Sequence, residues 1–128
     1  MILDSSAVVA ILLKEPDAAE LLDILDRATS LAIGGPTLAE TGIVLAARIK
    51  ADSRGLLSRF LEEAGVEVIA FGAEHAREAV GAFRRFGKGR HRAGLNFGDC
   101  MTYAIARLAD QPLIATGEDF KKTDLKLA

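Results

Sequence analysis

Short apolar runs alternate with longer amphipathic stretches along the whole chain. The runs at residues 1–3, 31–33, 66–69 and 113–115 predict four short buried strands. Between them, apolar positions spaced by three and four predict helices over 7–13, from 17 onward, from 37 to about 50, 54–63, about 73–86 and 97–109. The tail over 120–128 is compatible with either an edge strand or a turn.

Strands that are separated by helices need crossover connections, and such connections join parallel strands. We therefore expect an α/β fold with a central parallel β-sheet of about four or five short strands and helices on both faces. The length of 128 residues fits one domain spanning residues 1–128, and the sequence has no internal repeat.

Composition narrows the class of protein. Half of the residues are apolar and 27% are charged, which is typical of a globular chain rather than a disordered one. The single cysteine excludes a disulfide framework and a cysteine-rich zinc site, and agrees with a reducing cytoplasm. The longest apolar run, 7–13, is far shorter than the roughly 20 residues of a membrane span. We expect a cytoplasmic protein without a membrane partner.

Acidic residues follow the predicted strands at several separate points of the chain. Asp4 comes directly after the first strand, and Glu40 lies one turn into the helix after the second. Asp99 lies in the first turn of the helix over 97–109, and Asp119 follows the fourth strand beside Glu118. Ligands of open parallel sheets bind beyond the carboxyl ends of the strands. The sequence therefore predicts that acids from distant segments meet at one edge of the sheet.

Clustered carboxylates repel one another unless a cation compensates their charge. Mg²⁺ prefers such oxygen ligands, and a bound metal suits hydrolysis of a phosphodiester by an activated water. The two histidines, His75 and His91, are not spaced as metal ligands. Ser6 and Thr116 are supporting candidates, because each hydroxyl is placed to bond Asp4 or a metal-bound water.

Each acid also has a purely structural interpretation as a helix cap. The segment from Thr37 to Glu40 has the pattern of a capping box, and Asp99 suits the N-terminus of its helix. Asp4 is placed to cap the first helix and Asp119 to cap a terminal turn. The shared position beyond strand ends favours the functional interpretation, but the sequence leaves both open.

Charge is segregated along the chain. The protein has a net charge of −2, yet residues 79–98 contain no acid and five of the 16 basic residues. Glycine and aromatic residues between them suggest a flexible basic arm that follows a phosphate backbone. The basic residues predicted to contact such a phosphate backbone are Arg84, Arg85, Lys88, Arg90 and Arg92.

Four segments together resemble the PIN-domain ribonucleases, and most closely the VapC toxins of bacterial toxin–antitoxin systems. They are the first seven residues, Met-Ile-Leu-Asp-Ser-Ser-Ala, then Glu40, then Asn-Phe-Gly-Asp-Cys at 96–100 and Thr-Gly-Glu-Asp-Phe at 116–120. The resemblance covers the whole chain. At 116–120 this sequence departs from the family, because its two acids are adjacent rather than separated by one residue.

The resemblance implies an endoribonuclease that depends on Mg²⁺ or Mn²⁺, forms a homodimer and is inhibited by a VapB-like antitoxin. It also implies that Asp4, Asp99 and Glu40 hold the metal. Asp119 would be the fourth catalytic acid, with Glu118 as the alternative for that position. The implied fold agrees with the parallel sheet expected from the apolar pattern.

Our hypothesis is that the chain is the toxin of a type II toxin–antitoxin system and hydrolyses RNA phosphodiester bonds with a metal-activated water. The alternative is a catalytically silent PIN-like module that binds a protein and keeps its acids as caps. A receiver domain is disfavoured, because Lys14, Lys50 and Lys88 do not supply the strand-end lysine that such a domain needs.

Overall fold

The computed structural model describes residues 1–128 and contains four strands and six α-helices. The strands are β1 (Ile2–Leu3), β2 (Leu31–Gly34), β3 (Val66–Ile69) and β4 (Leu113–Ile114). The helices are α1 (Ser5–Leu12), α2 (Ala18–Arg27), α3 (Gly35–Arg48), α4 (Ser53–Ala64), α5 (Ala73–Phe86) and α6 (Phe97–Ala109). A short 3₁₀ helix, Phe120–Lys122, follows β4. None of the helices is both long enough and apolar enough to cross a membrane.

The four strands form one parallel sheet in the order β3-β2-β1-β4. Ile2 pairs with Ala32 on one side and with Leu113 on the other, which makes β1 a central strand. Because all strands run in the same direction, their carboxyl ends lie at one edge of the sheet. The predicted α/β fold with a central parallel sheet is confirmed.

Helices cover both faces of this sheet. Successive side chains of a strand point to opposite faces, so Ile2 and Leu3 belong to two different cores. Ile2 belongs to the same core as Tyr103 of α6 and Ala79 of α5, whereas Leu3 belongs to the same core as Val8 of α1 and Leu45 of α3. Burial of each large apolar side chain contributes roughly 1.5–3 kcal/mol to the stability of the fold. The two cores fix α1 and α6 on opposite sides of β1.

The start of α3 differs from the prediction, and the structure decides between the two interpretations of the tail. Helix α3 begins at Gly35 rather than at residue 37, because Pro36 fits the first turn of a helix, where its missing N–H is not needed. The tail forms the turn that its sequence allowed, but only an isolated bridge in place of an edge strand. After the 3₁₀ turn, Leu127 pairs with Leu113 in an isolated parallel bridge at the edge of the sheet.

The side chain of Asp124 holds this tail against the helices. Its two carboxylate oxygens accept hydrogen bonds from the Tyr103 hydroxyl at 2.6 Å and from Arg85 Nη2 at 2.8 Å. Arg107 lies 3.7 Å from the same carboxylate. Burial acts to raise the pKa of Asp124, but the hydrogen bonds from Tyr103 and Arg85 and the nearby arginines lower it overall. Asp124 therefore ties the segment after β4 to α5 and α6.

We expect Asp124→Ala to lower the free energy of unfolding by about 1–2 kcal/mol, because charged hydrogen bonds are lost at a partly exposed site. Urea denaturation at pH 7 measures this change. The control is Glu15→Ala, which breaks an exposed ion pair with Arg48 at 3.4 Å and should change stability little. Equal effects of the two substitutions would show that Asp124 does not anchor the tail.

Candidate active site

Asp4 lies directly after β1 and is almost completely buried, with 4% of its surface exposed. Its Oδ2 atom accepts hydrogen bonds from the Ser6 backbone N–H at 3.1 Å and from the Ser6 hydroxyl at 2.6 Å. Its Oδ1 atom accepts one from the Thr102 hydroxyl at 2.9 Å. Asp4 is thus the N-cap of α1, as its structural interpretation required, and is also fixed within the candidate site.

Glu40 lies in the second turn of α3. Its Oε1 atom accepts a hydrogen bond from the Ser5 hydroxyl at 2.7 Å. Its carboxylate lies against Gly98 in the first turn of α6, so closely that a Cβ atom at Gly98 would overlap it. The capping-box interpretation of Thr37 and Glu40 is wrong, because α3 begins two residues before Thr37 and Gly34 is its N-cap.

Asp99 lies at the third position of α6 and forms a capping box with Asn96. The Asn96 backbone N–H donates to Asp99 Oδ2 at 3.0 Å, and the Asp99 N–H donates to Asn96 Oδ1 at 2.9 Å. Burial raises the pKa of Asp99 to about 6, against the lowering effect of the Asn96 bond. The negative charges of Asp4, Asp119 and Glu40 contribute to this increase.

Asp119 and Glu118, the adjacent acids after β4, have different surroundings. Asp119 is exposed, its side chain makes no capping hydrogen bond, and its charge acts on Asp99. Asp119 therefore occupies the N-cap position of the terminal 3₁₀ turn, as expected, but its side chain does not bond the turn. Glu118 is also exposed, but its carboxylate pairs with Lys121 at 2.9 Å. Gly117 has a φ of 82°, which turns the chain between β4 and these two acids.

The two supporting candidates connect the end of β4 to Asp4. The Thr116 backbone N–H donates a hydrogen bond to the Ser6 hydroxyl at 3.1 Å, and that hydroxyl donates to Asp4. Ser6 has the predicted contact with Asp4. Thr116 contributes its backbone N–H, rather than the hydroxyl on which the prediction relied.

The fold brings the four predicted acids into one electrostatic neighbourhood. Asp4, Glu40 and Asp119 all act on the pKa of Asp99, and none of the four forms an ion pair with a basic side chain. Burial and like charge destabilise the ionised cluster, and a divalent cation would remove that cost.

The donor chemistry of the cluster fits a hard cation, since carboxylate and hydroxyl oxygens line it. No three Asp, Glu, His or Cys side chains lie close enough together to hold an ion on their own. Mg²⁺ characteristically keeps several waters and binds only one or two carboxylates, so the residues present fit a partly hydrated ion.

Sequence reasoning missed two threonines in this region. Thr102 lies three residues after Asp99 on α6, and Thr37 lies three residues before Glu40 on α3. Residues three apart share one face of a helix, so the spacing from the predicted acids was the available signal. Both threonines are buried, and their hydroxyl oxygens are 2.8 Å apart.

The basic segment forms a folded loop rather than the flexible arm that was predicted. Arg84 and Arg85 end α5, and the chain then closes on itself through bonds from Lys88 N to Leu95 O and from Leu95 N to Phe86 O, both 2.9 Å. Arg85 is engaged with Asp124. The other four basic residues, Arg84, Lys88, Arg90 and Arg92, are exposed and form no ion pair.

Comparison with known proteins gives consistent matches over nearly the whole chain. A family model described as the PIN domain matches residues 1–126. Ribonuclease VapC36 of Mycobacterium tuberculosis is 51% identical over 127 residues, which cover 98% of this chain and 91% of that protein. Ribonuclease VapC of Mycolicibacterium smegmatis is 42% identical over 125 residues, which cover 98% of this chain and 97% of that protein.

Solved structures share the fold at low sequence identity. The crystal structure of VapC20 of Mycobacterium tuberculosis, a toxin described as cleaving the sarcin-ricin loop, superposes with a TM-score of 0.81 at 15% identity. The match covers 99% of this chain and 97% of that one. VapBC2 of Rickettsia felis, solved with a DNA fragment from its promoter, has a TM-score of 0.78 at 21% identity over 99% of this chain and 96% of that one.

The raised pKa of Asp99 predicts a stabilising substitution. An unfolded Asp ionises near pH 3.9, so between about pH 4 and 6 the folded protein holds a proton that the unfolded chain has released. Wild-type stability therefore falls as the pH rises through this range. Asp99→Asn removes this loss of stability, because an amide does not ionise, and it keeps a side-chain oxygen that accepts the Asn96 N–H. We expect it to raise the free energy of unfolding by about 1–2 kcal/mol above pH 6, a value discounted for partial exposure.

Urea denaturation in EDTA at pH 4 and pH 7.5 measures this effect, which should be small at the lower pH. Asp23→Asn, on the exposed face of α2, is the matched control and should leave stability unchanged at both values. An Asp99→Asn protein no more stable than wild type at pH 7.5 would contradict the electrostatic description of the site.

Proposed function

The chain belongs to the PIN-domain family of VapC ribonucleases, and from this we propose that it is a metal-dependent endoribonuclease that acts as a toxin. The observation that supports the proposal is the meeting of Asp4, Glu40 and Asp99 at the carboxyl edge of the sheet without a basic partner. Family membership gives the reaction class, and this cluster gives the residues that would perform it.

We propose that Asp4, Asp99 and Glu40 hold Mg²⁺ or Mn²⁺, either directly or through the waters that the ion keeps, and that Asp119 is the fourth acid. Such an ion, when bound, lowers the pKa of a water and stabilises the charge that develops on the phosphate. Ser6 and Thr102 fix both oxygens of Asp4, and Ser5 fixes one oxygen of Glu40. The Asp119 carboxylate faces solvent, where it can orient or deprotonate an entering water.

RNA binding is assigned to the exposed basic residues of the folded loop. Lys88, Arg90 and Arg92 lie between α5 and the first turn of α6, which carries Asp99. Arg90 is placed over the Phe83 ring, 5.5 Å from its centroid, which leaves a stacked cation at the surface. Positive charges next to an acidic cluster would attract the phosphate backbone toward it.

We also propose a homodimer and a VapB-like antitoxin as partners. Related structures include VapBC2 of Rickettsia felis and a toxin–antitoxin complex of Klebsiella pneumoniae. This chain exposes large apolar side chains, among them Phe97 with 81% and Ile43 with 70% of their surface accessible. Exposed apolar surface of this kind is typical of a protein that binds other proteins.

Cleavage should depend on both the metal and the buried acids. We expect Asp4→Asn and Asp99→Asn to lower the rate of RNA cleavage by at least about 100-fold, since each removes a charge that supports the transition state. Incubation of purified protein with structured cellular RNA, in Mg²⁺ and in EDTA, measures this loss. Glu62→Gln, which removes an exposed carboxylate of α4, is the control and should cleave normally.

Cleavage at the wild-type rate by a double variant that carries both Asp4→Asn and Asp99→Asn would contradict this assignment. Absence of both cleavage and metal binding in the wild-type protein would favour the catalytically silent interaction module.

The fourth acid is tested separately. Asp119→Asn should lower the rate of RNA cleavage while Glu118→Gln does not, and the reverse result would assign the fourth acid to Glu118.

The loop assignment predicts a change in the salt dependence of RNA binding. Neutralising two phosphate contacts with Arg90→Gln and Arg92→Gln should weaken binding to single-stranded RNA. It should also flatten the slope of log affinity against log salt by about 1.4. Fluorescence anisotropy with an Asp99→Asn background, which prevents cleavage, measures the slope. Arg27→Gln with Arg59→Gln, outside the loop, is the matched control, and an equal change there would show that the effect is only net charge.

A further inference from the structure

A pair of buried threonine hydroxyls connects α3 and α6 to Asp4. Thr37 and Thr102 have 2% and 1% of their surface exposed, and their Oγ1 atoms are 2.8 Å apart. Thr102 Oγ1 is also 2.9 Å from Asp4 Oδ1. The chain Thr37–Thr102–Asp4 therefore links the three segments that present the proposed metal ligands.

The number of hydroxyl protons fixes which atom donates each hydrogen bond in the series Thr37–Thr102–Asp4. An ionised carboxylate only accepts, so the single hydroxyl proton of Thr102 is donated to Asp4. The remaining interaction of Thr102 must then be as an acceptor, and Thr37 must donate to it. Hydrogen bonds arranged in one direction polarise one another and strengthen the last bond of the series, here the one to Asp4.

The bond from Thr102 also limits what Asp4 can offer to a cation. A carboxylate has about four lone-pair positions, two on each oxygen. Ser6 occupies both positions of Oδ2 with its N–H and hydroxyl, and Thr102 occupies one position of Oδ1. One lone-pair position therefore remains, on Oδ1, and the Thr102 bond sets the rotation of the carboxylate that presents it.

We propose that Thr102, oriented by Thr37, is a positioning residue that presents Asp4 Oδ1 to the divalent cation. This inference rests on the metal-dependent function proposed above. Thr102 shares a helix face with Asp99, and Thr37 shares one with Glu40, so the same contact also sets the separation of α3 and α6. Groups that orient metal ligands in this way typically change metal affinity or activity by 10- to 100-fold when removed.

Calorimetric titration with Mn²⁺ tests the proposal on the full chain. Thr102→Val should weaken Mn²⁺ binding by about 10-fold or more, and Thr102→Ser, which keeps the hydroxyl, should restore it. The matched control is Thr41→Val. Thr41 is equally buried, but its hydroxyl donates to the Thr37 backbone carbonyl at 2.7 Å and not to Asp4. Its removal should leave Mn²⁺ affinity unchanged.

The outcomes separate this inference from the function on which it rests. Wild-type protein that binds no Mn²⁺ would overturn both. Wild-type protein that binds Mn²⁺ while Thr102→Val binds it equally well, or while Thr41→Val loses as much affinity, would overturn the positioning role alone. Circular dichroism verifies folding. If Thr102→Val does not fold, Thr37→Val decides, with a smaller loss of affinity expected and an unchanged affinity contradicting the proposal.

Discussion

The carboxylates at the carboxyl edge of the sheet repel one another, and the contacts of the rest of the site reduce the cost of this repulsion. Asp99 shows it directly, because burial and three like charges raise its pKa to about 6. Hydroxyl and amide donors from Ser5, Ser6 and Thr102 stabilise the other negative charges without cancelling them. Two helix N-termini, those of α1 and α6, add favourable dipoles. No basic side chain neutralises these acids, so a divalent cation would supply the missing positive charge.

The fold meets this constraint with very short elements. Strand β1 has two residues, and its central place in the sheet carries Asp4 directly to the edge where α1 begins. The absence of a side chain at Gly98 lets α6 approach the Glu40 carboxylate, which a Cβ atom would displace. Opposite cores then hold α1 and α6 against β1, so packing energy from both faces keeps the acids together despite their repulsion.

Hydrophobic periodicity was sufficient to predict the parallel sheet and to place the acids beyond its strands, because the core on each face of the sheet is built from those apolar positions. Periodicity does not encode contacts between segments far apart in sequence. The bond from Thr102 to Asp4 spans 98 positions, and the role of Asp124 depends on where the tail returns. Local capping patterns did not separate structural residues from site residues. Asp4 is both a helix cap and a buried site residue, whereas Thr37, which has a capping pattern, caps no helix.

The most direct test of the central claim is the position of a metal in a crystal of the wild-type protein grown with Mn²⁺. Anomalous scattering at the manganese edge identifies the ion without relying on its coordination. The four-acid site predicts a peak at coordination distance from oxygens of both Asp4 and Asp99, accompanied by water ligands. A peak elsewhere on the surface, or none beside Asp4 and Asp99 at saturating Mn²⁺, would contradict a metal-dependent site at this edge of the sheet.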